Sequence, residues 1–94
     1  MKHFPSLFLF LLVASHLFAQ NCLSGGITFS NQSQIDAFPG NYSGCTYIVG
    51  AVTISGNNIT NVNGLAQITH MGGLSIVSNP NLNDLNGLQN LSTV

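Results

Sequence analysis

Charge is what this chain most lacks. Lys and Arg together number 1, Asp and Glu together 2, and the single cation is Lys2. From residue 20 onward the only charged side chains are Asp36 and Asp84. Binding to nucleic acid is excluded on that ground, since its affinity comes from Lys and Arg neutralising phosphates. A basic membrane-surface patch is excluded for the same reason. Calcium asks for about six or more oxygen ligands, commonly several carboxylates, and two acids do not supply them. Asp36 and Asp84 as a glycosidase pair would need to flank a bound sugar, and no aromatic platform lies between them in the sequence. His70, the only histidine after residue 20, reads as a loop residue without a partner for general-base chemistry. The expectation is therefore a non-enzymatic chain with no catalytic residue, no metal and no cofactor.

What the chain does have begins with an apolar leader. Lys2 precedes the unbroken run Leu7-Phe-Leu-Phe-Leu-Leu-Val-Ala14, and Ala14-Ser-His-Leu-Phe-Ala19 shifts toward small residues. That order predicts a secretory signal peptide over 1–19, removed after Ala19. The run is well short of the roughly 20 residues a membrane-spanning helix needs. Cys22 and Cys45, the only 2 cysteines, both follow the leader, and an even pair in an exported chain predicts a disulfide. Closing that loop contributes roughly 3 kcal/mol in the chain-entropy picture.

Local patterns then fall in order. Ile27-Thr-Phe29 alternates as a strand does. Ser30 to Phe38 predicts one or two helical turns with Ser30 or Asn31 as cap, ended by Pro39-Gly40. Thr46 to Val49 is expected to be extended or a tight connector, and Gly50 to Gly56 a strand with Val52 and Ile54 on one face and Thr53 on the other. Gly73 to Ser78 repeats it, with Leu74 and Ile76 on the inner face and Ser75 outward.

The strongest feature is a repeat. Asn58-Ile-Thr-Asn-Val-Asn-Gly-Leu-Ala-Gln-Ile-Thr69 returns as Asn81-Leu-Asn-Asp-Leu-Asn-Gly-Leu-Gln-Asn-Leu-Ser92, an offset from 58 to 81 of 23. Ile59, Val62, Leu65 and Ile68 meet Leu82, Leu85, Leu88 and Leu91. The strands are offset by 22, from 54 to 76, and the Asn79-Pro80-Asn81 turn is expected to absorb the difference. A helical hairpin is the competing reading of the spacing. The asparagines and Gly64 argue against it, because they favour turns. These positions predict a solenoid with a parallel sheet and a core of Val52, Ile54, Ile59, Val62, Leu65, Ile68, Leu74, Ile76, Leu82, Leu85, Leu88 and Leu91.

With Cys22, Cys45, Gly50, the Val52 to Ile54 strand and the Ile59, Val62, Leu65 edge in view, the chain resembles the receptor L-domain family. It resembles more closely secreted Bacteroidetes-type proteins that carry the same domain. The resemblance implies an α/β solenoid, a leucine-rich-repeat-like right-handed parallel β-helix, here an incomplete stack of about three turns. Residues 20–94 are then expected to be the N-terminal part of such a domain, truncated at its C-terminal side and completed by the remainder of a longer chain.

The expected role is an exported recognition or adhesion module, secreted or at the cell surface. Its sheet face, with Thr53 and Ser75, would meet a protein or glycan partner. Two other roles compete: a structural spacer of a larger cell-surface protein, and a fragment of a β-helical polysaccharide-degrading enzyme. Four asparagines, at 31, 41, 58 and 90, match the N-glycosylation pattern by composition alone. Asn58, Asn81, Asn63 and Asn86 are expected instead to be turn residues whose amides bond neighbouring backbone.

Overall fold

The computed structural model describes residues 20–94. The expected signal segment 1–19 and its cleavage point lie outside the described residues. The chain enters with β1 (Asn21–Cys22) and, after a turn, β2 (Ile27–Phe29). Gly26 makes that turn possible: its φ is +84°, and a Cβ there would collide with the Ala51 carbonyl.

Helix α1 (Gln32–Asn41) follows. The Asn31 side chain caps it, accepting from the Gln34 N–H at 2.9 Å. The helix outlasts the expected stop at Pro39-Gly40. Pro39 falls in the last turn, where it removes only one i−4 bond, and the Tyr42 N–H still reaches the Phe38 carbonyl at 2.9 Å. Ile35 and Phe38 face the core. Phe38 meets Phe29 edge-on with centroids 5.8 Å apart, and Tyr42 at 5.1 Å.

Two longer strands carry the sheet. β3 (Tyr47–Ile54) runs without interruption through both the stretch expected to be extended or a tight connector and the predicted strand. β4 (His70–Ile76) begins three residues earlier than the alternation suggested. All pairings are parallel. Val52 lies opposite Leu74, Thr53 opposite Ser75 and Ile54 opposite Ile76, an offset of 22, whereas Tyr47 opposite His70 is offset by 23. The extra residue is a bulge between Ile48 and Ala51. The Asn79-Pro80-Asn81 turn then restores the longer spacing. There the Asn79 side chain accepts from the Gly56 N–H at 2.8 Å and donates to the Ile54 carbonyl at 2.9 Å.

The expected β-helix is not what forms. The described residues make a single open four-stranded sheet in which β1 and β2 share one edge of β3 and β4 takes the other. With one helix, two 3₁₀ turns (Asn63–Leu65 and Asn86–Leu88) and one disulfide beside it, no three-turn solenoid closes. The physical reason lies in the connections. β1 and β2 span only 2 and 3 residues, and the segments between strands satisfy much of their backbone locally, in α1 and the 3₁₀ turns, or through side chains. Among the described residues no second sheet remains to close against the first.

The core sits between the sheet's inner face and the connections. Phe29, Ile35, Phe38, Ile48, Val52, Ile54, Ile59, Val62, Leu65, Ile68 and Met71 are buried in it, each aliphatic contributing about 1.5–3 kcal/mol by leaving water. Leu74, Ile76, Leu82, Leu88 and Leu91 are half-buried against it. Leu85, expected in the core, is 48 % exposed, because nothing among the described residues packs over the second 3₁₀ turn.

Polar side chains fasten the connections together. Gln32 on α1 accepts from the Thr60 and Asn61 N–H groups at 2.8 and 3.1 Å and donates to Asp36 at 2.9 Å. Gln67 donates to the Cys45 carbonyl at 2.7 Å and the Tyr42 carbonyl at 3.0 Å. Cys22 and Cys45 form the predicted disulfide, with Cα atoms 5.8 Å apart. It ties β1 to the segment that leads into β3.

Candidate functional site: the outward face of the sheet

Side chains alternate across a strand. Because Ile48, Val52 and Ile54 point into the core, Tyr47, Ala51 and Thr53 point away from it. The parallel register aligns the outward residues in rows. Thr28, Thr53 and Ser75 form a row of hydroxyls across β2, β3 and β4. Thr28 and Ser75 are exposed and Thr53 is half-buried. The two residues expected on a binding face are thus direct neighbours, and Thr28 joins them.

At the other end of the face, Tyr47 and His70 lie opposite each other. Their rings stack with centroids 5.2 Å apart and planes tilted by 32°. Asn21 is the next residue in this row on the β1 side, and Thr93 bridges to His70 on the other. His70 was expected in a loop. It opens β4 instead, because the Thr69 and His70 N–H groups reach the Thr46 carbonyl at 2.8 and 3.3 Å and carry the parallel pairing back to this point. Thr69 Oγ1 lies 2.7 Å from His70 Nδ1 and fixes the ring. Alternation had not revealed the Tyr47–His70 pair. The 23-residue offset, applied backwards from Asn58, would have found it.

Between the two rows the floor is low. Ala51 faces Gly73, and Gly72 lies beside the bulge. A Cβ on Gly72 would collide with the Val49 carbonyl, so that position is fixed by close backbone approach. A Cβ on Gly73 would make only ordinary contact with Ala51 Cβ, at 3.5 Å. The face is also uncharged, since Asp36 lies on α1 and Asp84 in the segment before the second 3₁₀ turn. The face thus presents two aromatic rings, a row of hydroxyls and, at its end, the Thr69 hydroxyl against the His70 ring.

The remaining candidate positions lie elsewhere. Asp36 accepts from Gln32, and Asp84 accepts from the Asn86 N–H at 3.0 Å. No group of three or more His, Cys, Asp or Glu stands close enough to hold a metal among the described residues. Of the turn asparagines, Asn58 accepts from the Gln32 N–H at 3.1 Å and Asn81 donates to the Asn57 carbonyl at 2.6 Å. Asn63 and Asn86 instead line an open cleft of about 270 Å³ with Ala66, Gly87, Gln89 and Asn90. Among the described residues, no helix is long and apolar enough to cross a membrane.

No family model matches the chain, and no curated protein and no solved structure was found similar to it.

Proposed function

We propose that this chain is an exported, non-enzymatic recognition or adhesion module, secreted or held at the cell surface, that presents the outward face of its sheet to a protein or glycan partner. The observation that carries the reading is the alignment of the Thr28, Thr53 and Ser75 hydroxyls with the Tyr47–His70 stack on one uncharged face. Aromatic bodies with polar tips are what binding surfaces use where water must leave one side of a group and stay on the other. The disulfide supports export, because such bonds persist in oxidising compartments. Kinship with the receptor L-domain family belongs to this proposal on Cys22, Cys45 and Gly50, without the closed β-helix.

A test is direct. Ser75→Arg places a bulky cation on the exposed row and leaves the core untouched. On an array of cell-surface proteins and glycans, the labelled chain is expected to lose the binding that the unsubstituted chain shows while its unfolding curve stays the same. Undiminished binding would exclude the sheet face as the docking surface. Export is checked by the N-terminus of the secreted chain, expected at Gln20; retention of the intact leader inside the cell would refute it.

A structural spacer within a larger cell-surface protein is the second reading, and one observation favours it. Leu74, Ile76, Leu82 and Leu88 are half-buried and Leu85 and Val77 are 48 % and 50 % exposed. That aliphatic row is a surface another layer of protein would cover.

A further inference from the structure

We infer that this chain pairs with a second copy of itself through the open edge of β4, the two copies being related by a two-fold axis normal to the sheet. Such a dimer leaves the outward face free and does not depend on what that face binds.

β4 pairs with β3 on one side. Among the described residues its other side meets only Thr93, which bridges to His70 and accepts from the Met71 N–H at 3.0 Å. From Gly72 to Ile76 that outer side is open. Val77 turns its N–H to the Ile54 carbonyl of β3 at 3.1 Å, so by alternation the Leu74 and Ile76 N–H groups face the open side. A row of this kind is a template for another strand, and proteins ordinarily blunt it with lysine, proline or an inward charge. Residues 70–77 contain none of these.

The apolar side chains beside that edge show what fits against it. Ile59, Val62, Leu65 and Ile68 are all 0 % exposed, because the next interval lies over them: Gly87 backs onto the Val62 carbonyl, and Leu82, Leu88 and Leu91 pack against the core. An aliphatic row of this pattern thus packs on another of its kind. The second row has none above it. Leu85, the counterpart of Val62, is 48 % exposed, and Leu74, Ile76, Leu82 and Leu88 are half-buried.

A second copy has one such row to offer. Its first row is internal, and the far side of β3 is taken by β1 and β2, with the disulfide across β1 and α1 packed on the first 3₁₀ turn. Head-to-tail stacking therefore finds no matching row, and the contact is isologous, β4 running antiparallel to β4 of the copy. With the axis normal to the sheet, the two four-stranded sheets become one and the two second rows meet behind it. The uncovered aliphatic surface is on the order of 350 Å² per copy, within the range of the largest apolar patch on a monomer. With the strand edge and the polar rim, the two copies together bury about 1,000 Å², the least that a specific interface needs. The dimer is accordingly weak, with Kd on the order of 10 µM, and below that concentration Leu85 stands in water.

The test is sedimentation equilibrium on the full chain after its natural processing, with the disulfide intact, from about 1 µM to about 1 mM. A monomer–dimer equilibrium is expected, with nothing heavier. Leu85→Lys, at a position exposed in the monomer, should weaken it at least roughly tenfold, while Ala37→Lys on the exposed side of α1 should leave it unchanged. Hydrogen exchange of the unsubstituted chain reads the edge directly: the Leu74 and Ile76 amides should gain protection as the concentration rises through Kd. A monomer throughout the range would overturn the inference. So would species that grow beyond the dimer, which a closed two-fold contact forbids, or a dimer that forms without protecting those two amides. If Leu85→Lys fails to fold at low concentration, the exchange experiment decides alone. None of these failures touches the outward-face reading, which the Ser75→Arg comparison decides.

Discussion

Gln32 offers a sharp measure of how the helix is held to the rest of the chain. Its carboxamide oxygen receives the N–H groups of Thr60 and Asn61 at 2.8 and 3.1 Å, and its nitrogen donates to Asp36 at 2.9 Å. Gln32→Met keeps the length of the side chain and removes all of these. Thr60 is exposed, so its N–H regains water at little cost, while Asn61 is half-buried and loses more. A net hydrogen bond is worth about 1 kcal/mol, and a donor left unpaired away from water costs about 1–3 kcal/mol. The Asp36 contact is exposed and adds little. The expected loss is therefore about 2 kcal/mol, or a fall in melting temperature on the order of 10 °C for a domain of this size. Urea unfolding of the oxidised chain should show a lower midpoint with an unchanged slope. Gln89→Met, at an exposed position, should shift the midpoint by less than about 0.5 kcal/mol. If Gln32→Met and Gln89→Met gave the same small effect, the clamp would hold nothing and the reasoning would be wrong.

Three further outcomes are expected. Replacing Cys22 and Cys45 by alanine should cost roughly 3 kcal/mol, and equal masses after alkylation with and without prior reduction would rule the bridge out. Gly26→Ala, forced to positive φ and into the Ala51 carbonyl, should destabilise by about 1–3 kcal/mol; Gly25→Ala, with nothing within 4 Å, should not, and equal effects in the two would refute the steric argument. Leu65→Ala, at 0 % exposure, should cost about 2–5 kcal/mol, whereas Leu85→Ala, at 48 %, should cost under about 1 kcal/mol. Calorimetry or urea titration distinguishes them, and a Leu85 loss as large as that at Leu65 would mean that something covers Leu85 in solution.

Much of the local structure was legible in the residues. The helix start was legible to within one residue, Ser30 or Asn31, because both side chains can serve the orphan N–H groups of a first turn. Val52, Ile54, Leu74 and Ile76 were legible as inner-face positions with their register, since alternation and a fixed offset together leave one pairing. The closed solenoid was misread for a physical reason. An offset of 23 says that equivalent residues recur side by side, but it does not say how many walls the chain builds between recurrences. That depends on whether connections extend into strands or satisfy themselves, and here α1 and the two 3₁₀ turns do the latter. Leu85 was misjudged likewise, because a periodic leucine is buried only if a neighbour lies over it. The candidate face was half legible. Thr53 and Ser75 followed from alternation, Tyr47 lies in the stretch left open between strand and connector, and His70 lies beyond Gly72, where the spacing from Met71 to Gly73 breaks the alternation of β4.

That bulge, and the Asn79-Pro80-Asn81 turn that compensates it, fix the lengths of chain the fold will accept between fixed points. Across the bulge, β3 uses four steps from Tyr47 to Ala51 where β4 uses three from His70 to Gly73. A deletion within Val49–Gly50 would bring the two strands into step and straighten β3. It would also shorten by one each interval that spans it, such as the one that brings the Thr69 N–H to the Thr46 carbonyl. A segmental duplication escapes this constraint when it copies a whole interval of 23 residues, because equivalent residues then recur at the spacing that pairs Tyr47 with His70. Any lengthening of this fold by recombination would therefore succeed in multiples of that interval and fail at intermediate sizes.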